Sequence, residues 1–552
     1  MEILLTILIL TLVVSLTSVL TRLSPVQIPL PLIQIAAGAV LAQPIFGLHV
    51  EFNPELFLLL FIPPLLFAES SKIQPKELIK HSREIISLAL VLVLITIFGV
   101  GYVIHLLLPN VPLIAAFALA AVLSPTDAVA LLGIVGKGRI SKNIQEVLEG
   151  EALMNDASGL VALKFAVAVT MGTMEFSVHG ATIAFFVVAL GGIAVGIAVT
   201  WLYGKGLLLI SRYAHDEPEP SIQIVLMLLL PFIVYLVAEH FGLSGILAAV
   251  AAGLTTSRIG VVHHAPIRLR IKAKSSWSML EYVFNGMVFL ILGLQLPGII
   301  SESLIRAEND PLVDTGSLLL DVIWIYLALM VVRLGWLWLM RLYSRKRPGK
   351  HPMLFAGYKT RHMLLATFAG VRGAITLAGV LSIPLLLPDG TPFPGRYLLV
   401  FLATGVILFS LVCGIIILPL LLGKNVGIFS DNRQKEEEAA DLFMAKMAIL
   451  SVQKTEQRLL RARTENLDNE LIMETGARVI GYMRHSEEDM SPNDNSLHMQ
   501  RAKLERTFNL AALNAKRAAI YQMRARQEVS DETLAKIVSE LDVLETLIMD
   551  SR

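Results

Sequence analysis

Up to Leu422 the chain is a succession of thirteen apolar stretches, most about twenty residues long, and no other feature restricts its fold so severely. A helix of about twenty residues is about 30 Å long, the thickness of bilayer hydrocarbon. Backbone polar groups have no water to bond in hydrocarbon, so apolar runs of this length read as helices. The stretches run approximately 2–21, 28–48, 54–69, 84–108, 113–136, 144–171, 179–210, 221–240, 242–257, 277–297, 318–342, 362–387 and 397–422. Charge divides the chain the same way. The first 423 of 552 residues carry 50 of the Asp, Glu, Lys and Arg residues, and the last 129 carry 41. The expected organisation is therefore a polytopic, all-α membrane domain over 1–423 and a cytoplasmic, mainly helical domain over 424–552. This balance excludes an ordinary soluble enzyme, in which roughly a quarter of residues would be charged.

The loops fix an orientation. Those after odd-numbered stretches, with the cytoplasmic ends of the adjoining helices, hold 22 basic residues, including Arg22, Lys72, Lys76, Lys80, Lys137, Arg139, Arg258 and Arg345. The opposite loops hold two, Arg306 and Arg396, beside acids such as Glu51, Asp310 and Asp314. Basic residues gather on the cytoplasmic side of membrane proteins, so the pattern predicts an odd number of spans, an external N-terminus and a cytoplasmic tail. Glu2 stands where a basic signal-peptide start would be, and the first stretch reads as a span. The single cysteine, Cys413, offers neither a disulfide framework nor a thiolate metal site.

An ionisable group at membrane depth is costly unless paired or wet, which makes each one a functional candidate. They are few: Glu69, Asp127, Glu151, Asp156, Lys164, Arg333 and Arg372, with Glu239, Glu281 and Asp321 nearer the ends. In the fifth stretch, Ser124-Pro-Thr-Asp127 breaks an ordinary helix because Pro125 removes a donor and clashes with the preceding turn. The same residues spell a helix start, with Ser124 as N-cap, Pro125 at N1 and Asp127 at N3. The expectation is two half-helices joined by an unwound link near 124–127; the alternative is a simple proline kink. Unwound backbone at this depth lines polar cavities, and discontinuous helices mark transporter ion sites.

The sixth stretch carries Glu146, Glu149 and Glu151, read as a negative funnel for cations leading to Asn155-Asp156. Asp156 lies about 18 Å along a helix that starts near Ile144, close to the bilayer midplane. A carboxylate there avoids an unpaired charge by taking a proton or a metal cation, and competition between the two is the chemistry of an exchanger; the alternative is a structural aspartate bonded to helix ends. Arg372 lies in a twelfth stretch loosened by Gly370, Gly373, Gly379 and Pro384. A guanidinium keeps its charge and needs a carboxylate, with Glu151 and Asp127 as available partners, unless it snorkels to the cytoplasmic end. Glu69 ends the third stretch, either lining the funnel or capping a helix. Lys164, about 12 Å beyond Asp156, has no assignable partner, and Arg333 reads as structural.

Taken together, Pro63-Pro-Leu-Leu-Phe67, Ser124-Pro-Thr-Asp-Ala128, Gly150-Glu-Ala-Leu-Met-Asn-Asp156 and Val371-Arg-Gly-Ala-Ile375 resemble the motifs of bacterial Na⁺/H⁺ antiporters of the monovalent cation:proton antiporter-1 family (NhaP- and NHE-like). The resemblance covers roughly 1–424. It implies an inverted-repeat fold with two crossing discontinuous helices and a core bundle beside a dimerisation bundle. It further implies that Asp156 is the shared cation and proton carboxylate, supported by Asn155, with Thr126 and Asp127 contributing oxygens. Glu151 and Arg372 match the family's structural ion pair, and the Asn-Asp sequence is associated with electroneutral one-for-one exchange. Two positions depart from the pattern. Ala152 stands where many members carry a serine ligand, and Ala68 displaces the acid after Pro-Pro-x-x-Phe to Glu69.

These readings describe an antiporter, not an enzyme, exchanging Na⁺, with Li⁺ or K⁺ as alternatives, for H⁺ by alternating access in the bacterial plasma membrane. Asp156 and Thr126 are the expected Na⁺ site. Expected partners are lipids and a second copy of the chain; no cofactor and no nucleic acid are expected. Helical stretches near 434–463, 498–528 and 531–549, with a linker from Gly481 to Ser496, make the tail a candidate regulatory domain for a ligand or protein. Rival readings are a K⁺/H⁺ antiporter gated by the tail, a cation channel or sensor, and an intramembrane aspartyl protease using Asp127 and Asp156. The protease reading lacks the Gly-Asp dipeptide that such enzymes carry.

Overall fold

The computed structural model describes residues 2–23, 29–43, 53–73, 79–136, 139–172, 178–213, 220–259, 267–308, 315–346 and 360–422. In the tail it describes 446–458, 460, 473–481, 495–526 and a few positions between 534 and 545. The chain separates into two compact units, Met1–Val426 and Gly427–Arg552. Every one of the thirteen apolar stretches falls on a helix or a broken helix pair. They are α1 (Glu2–Leu23), α2 (Leu30–Leu41), α3 (Pro54–Lys72), α4 (Ser82–Leu107), α5a (Leu113–Leu123) with α5b (Ala128–Val135), and α6 (Lys142–Thr170). Then follow α7 (Val178–Tyr213), α8 (Pro220–His240), α9 (Gly245–Ile259), α10 (Ile267–Glu308), α11 (Thr315–Lys346), α12a (Thr360–Phe368) with α12b (Ala374–Leu381), and α13 (Arg396–Leu422). Among the described residues eight helices are long and apolar enough to cross a bilayer, and α5a with α5b, bent by 47°, makes a ninth.

Packing sorts these helices into two bundles. In one, α2 lies along α10, and α3 and α7 along α9, with α1 and α8 beside them. In the other, α5a sits between α4 and α6, and α11 packs on α4, α12a and α13. Close approach in the first bundle rests on absent side chains. A methyl on Gly38 would overlap the Leu290 carbonyl, one on Gly293 would overlap that of Ile35, and one on Gly253 would meet Ser70. The packing is internally repeated with a shift of seven helices. The pair α2–α10 corresponds to α9–α3, and α4–α5 corresponds to α11–α12. Both broken helices fall on corresponding positions, fifth and twelfth, as expected of an inverted repeat.

Helix α4 contains a π turn over Ser87–Val91. The carbonyl of Ala89 inside it accepts a bond from Ser158 Oγ of α6 at 2.7 Å, and Trp336 of α11 reaches Ser87 at 3.1 Å. A π turn frees a backbone acceptor for such a partner, and this one fixes the register of α6 two residues from Asp156.

Helix α12b ends at Leu381, six residues before the expected boundary. Residues 382–395 form turns held by an isolated bridge between Leu386 and Pro392, consistent with Pro384, which removes a helix donor. In the tail, α14 (Asn495–Ala525) covers most of one expected helix, and shorter helices occupy 446–458 and 473–481. Arg517 of α14 binds Asp542 at 2.6 Å and Glu545 at 2.5 Å. Residues 482–494 of the linker expected from Gly481 to Ser496, most of the expected helix over 531–549, and Glu51, Lys76, Lys137, Asp310 and Asp314 lie outside the described residues.

Candidate functional site

The two unwound links meet. The Asp127 N–H donates to the Val371 carbonyl at 2.7 Å, so the break after α5a crosses the break after α12a. Four helix ends converge there, and each is matched by charge. The N-termini of α5b and α12b carry partial positive charge, and the Asp127 carboxylate serves both. It accepts from the Ala130 N–H at 2.9 Å, and it lies so close to Gly373, the N-cap of α12b, that a methyl there would overlap it. The C-termini of α5a and α12a carry partial negative charge, and Arg372 bonds the end of α5a and the link that leaves α12a. Its Nε donates to the Leu123 carbonyl at 3.2 Å and a terminal nitrogen donates to Gly370 O.

Two sequence expectations change here. Asp127, not Ser124, is the N-cap of the second half-helix. Ser124 closes the first half instead, its hydroxyl turned back to the Ala121 carbonyl at 2.8 Å. The buried ion pair of Glu151 is with Arg333, not with Arg372. Both guanidinium nitrogens of Arg333 meet the two Glu151 oxygens, the NH2–Oε2 bond at 2.8 Å, and its Nε reaches Ala366 O at 3.0 Å. Arg372 instead turns two of its nitrogens to the Leu123 and Gly370 carbonyls.

Beside the crossing lies a cavity of about 50 Å³. Asp127, Thr126 and Thr376 reach it from the broken helices, Asp156 and Ala152 from α6, Glu69 from α3 and Asn285 from α10. It therefore sits between the two bundles. Asp156 is 6% exposed, and its carboxylate has no hydrogen-bond partner among the described residues. Glu69 lines the same cavity. One turn further along α3, Lys72 pairs with Glu281 of α10. Asn155 stands behind the cavity wall. Its amide donates to Thr126 Oγ1 at 2.9 Å, while its own Oδ1 is buried without a partner. Among the described residues no three His, Cys, Asp or Glu side chains are placed to hold a metal ion together. An ion at Asp156 must therefore draw on hydroxyl, amide or carbonyl oxygens.

The expected glutamate funnel on α6 does not form. Glu146 faces His81 at 3.9 Å, Glu149 accepts from Gln145 at 2.7 Å, and Glu151 is buried with Arg333. At 100° per residue, positions 146 and 151 point about 140° apart, so acids that read as a line are spread around the helix. Lys164 finds its partner in Glu239 of α8, at 3.1 Å to both oxygens. Asn285 and Thr376 were not anticipated. Neutral polar residues are too common in membrane helices to stand out, and the only signal was an amide and a hydroxyl inside otherwise apolar runs.

Comparison with known proteins gives concordant results. The sequence model described as "Sodium/hydrogen exchanger, transmembrane" matches residues 8–423. The chain is 58% identical over its full length, and that of the relative, to an uncharacterized Na⁺/H⁺ exchanger of Escherichia coli (strain K12). It is 36% identical to a sodium, potassium, lithium and rubidium/H⁺ antiporter of Bacillus pumilus, covering 100% of this chain and 79% of that one. The solved structure of the sodium proton antiporter MjNhaP1 from Methanocaldococcus jannaschii superposes with a TM-score of 0.54 at 18% identity, over 77% of this chain and 100% of the other. At that identity the likeness speaks for the fold.

Proposed function

The chain belongs to the sodium/hydrogen exchanger family, and from that premise we propose how it couples its two ions. It is a multi-pass membrane antiporter of monovalent cations and protons. The shared carrier is the Asp156 carboxylate, which binds either a proton or a dehydrated cation, one for one. Na⁺ is the first substrate, with K⁺ and Li⁺ as further ones; the relative from Bacillus pumilus, whose name spans sodium to rubidium, supports that breadth. Thr126, Asp127 and Glu69 complete the site, and Asn155 positions Thr126. The observation that carries the reading is an unpartnered carboxylate in a cavity at the crossing of two broken helices, between two bundles.

Alternating access follows from electrostatics. An empty, ionised Asp156 resists passage across apolar packing, whereas its protonated or cation-loaded form does not. Exchange is thereby favoured over uncoupled leakage of either ion. The bundle of α4–α6 and α11–α13 would move the carboxylate past a scaffold of α1–α3 and α8–α10, which pairs with a second copy. The N-terminus is external and the tail cytoplasmic, on the strength of the basic loops; the membrane is the bacterial inner membrane, in keeping with the bacterial relatives. The tail is a candidate regulator of the pH response, and the protein moves ions and carries out no chemical conversion.

The test is cation-driven pH change in proteoliposomes. Asp156→Asn should lose exchange of Na⁺, K⁺ and Li⁺ while eluting as a folded dimer. Near-normal transport in that variant would sink the assignment.

A further inference from the structure

Besides Asn155 Oδ1 behind the wall, four described groups that line the cavity lack a partner: the Asp156 carboxylate, Glu69, the Thr376 hydroxyl and the Asn285 amide. The first two are assigned above. Thr376 is 2% exposed and sits in the first turn of α12b, where a threonine hydroxyl ordinarily bonds a carbonyl one turn back. Here it does not, and its residue lines the cavity. Asn285 lies one helical turn from Glu281 and shares its cavity-facing stripe with Val288 and Phe289. Thr376 is buried and Asn285 half-buried; a polar group withdrawn from water without a partner is costly, so a hydroxyl and an amide lining one small cavity call for an occupant. Ala152, one turn before Asp156, also lines the cavity and brings no oxygen.

We propose that Thr376 and Asn285 are direct oxygen ligands of the transported cation and set its preference between small and large monovalent ions. The inference rests on the antiport reading and deepens it. At about 50 Å³ the cavity holds about three to five waters, or one cation stripped of most of its shell. A stripped ion needs several oxygens, and no three acidic or imidazole side chains are placed to share it. An ionised carboxylate favours the smallest ion, because Coulomb attraction grows as the contact shortens. Neutral oxygens weigh more with larger ions, whose looser hydration is replaced by many weak ligands. Thr376 and Asn285 thus widen the range of the site from Li⁺ and Na⁺ toward K⁺ and Rb⁺. They hold it from both bundles, since Thr376 belongs to α12b and Asn285 to α10.

The experiment measures apparent KM and maximal rate for Li⁺, Na⁺, K⁺ and Rb⁺ in proteoliposomes of the full chain. Thr376→Val keeps shape and removes the hydroxyl; Asn285→Leu does the same for the amide. Each should raise KM for K⁺ and Rb⁺ about fivefold or more, and KM for Li⁺ by less than twofold. Thr376→Ser should shift the ratio less than Thr376→Val, and Ala152→Ser added to Thr376→Val should bring the K⁺ value back toward wild type. A structural role alone would lower the rate for all four ions together and leave their KM ratios fixed, and that result overturns the proposal. Wild-type protein and Asp156→Asn run alongside. Wild-type exchange that disappears in Asp156→Asn, with unchanged ratios in Thr376→Val and Asn285→Leu, overturns this inference alone. A wild type without exchange overturns both.

Discussion

Removing the Glu151 carboxylate tests which arginine it serves. Glu151 is 1% exposed at its side chain and Arg333 5%, so neither charge has water to fall back on. In Glu151→Gln the guanidinium of Arg333 keeps its bond to Ala366 O but loses its charged partner. Breaking a buried pair in this way costs about 3–5 kcal/mol. A kcal/mol shifts the midpoint by about 2–4 °C in a domain of 150–250 residues and by less in a larger one, so a drop of about 3–10 °C is expected. Replacing both partners by neutral groups of similar volume leaves no orphan charge and is often nearly neutral. Glu151→Gln with Arg333→Met should therefore recover most of the loss. Glu151→Gln with Arg372→Met should be worse than either change alone, since Arg372 holds two helix ends of its own. The assay is intrinsic-fluorescence melting of the purified protein in detergent, with light scattering to follow aggregation. Recovery by Arg372→Met and not by Arg333→Met would falsify the pairing and restore the one that the family resemblance implied.

Other consequences follow from the same contacts. Gly373→Ala drives a methyl into the Asp127 carboxylate, so exchange should fall by at least tenfold in vesicles, with about 1–3 kcal/mol of lost stability. Asp127→Ala removes the cap of α5b at a cost of about 1 kcal/mol, whereas Asp127→Asn retains it; equal melting points for the two would refute the capping role. Lys164 is 65% exposed at its side chain, so Lys164→Gln should change stability by less than about 1 kcal/mol in chemical denaturation. Deleting 430–552 should shift the pH profile of exchange in vesicles, and an unchanged profile would rule out a regulatory tail.

The helices were legible because each is a long apolar run. The break at 124–127 was equally so, because a proline in mid-membrane has few other readings. What escaped was contact between distant parts of the chain. Glu151 has two buried arginines within the same bundle, and which one it meets depends on how α11 and α12a pack, 182 residues or more along the chain. The funnel fails for a local reason: the two-residue step from Glu149 to Glu151 turns the side chain about 160° around the helix, so the three acids do not share a face. The cap at Asp127 was misplaced by three residues because a Ser-Pro-Thr-Asp run offers three side chains that can cap. Only the crossing itself, where the Val371 carbonyl takes the Asp127 N–H, decides among them. Thr376 and Asn285 carry no charge, so nothing in their cost at membrane depth marks them in the sequence.

The crossing also explains why a lysine should not replace Arg372. Its task is to bridge two acceptors on different chain segments, the Leu123 and Gly370 carbonyls, with donors held in one plane. The guanidinium fork does this without choosing between them, whereas an ammonium is a point donor on a flexible stem. Arg372→Lys keeps the charge and so the match to both helix dipoles, but it should satisfy one carbonyl at a time. The orphaned carbonyl costs about 1–3 kcal/mol. Arg372→Met loses the charge as well, leaving two C-termini facing each other with like partial charges. The order of stability should be wild type, then Lys, then Met. Exchange should fall more steeply than stability, because Asp127 and the cavity wall are positioned by the same crossing. Full transport in Arg372→Lys would mean that charge alone holds the two breaks together, and that the fork geometry is incidental.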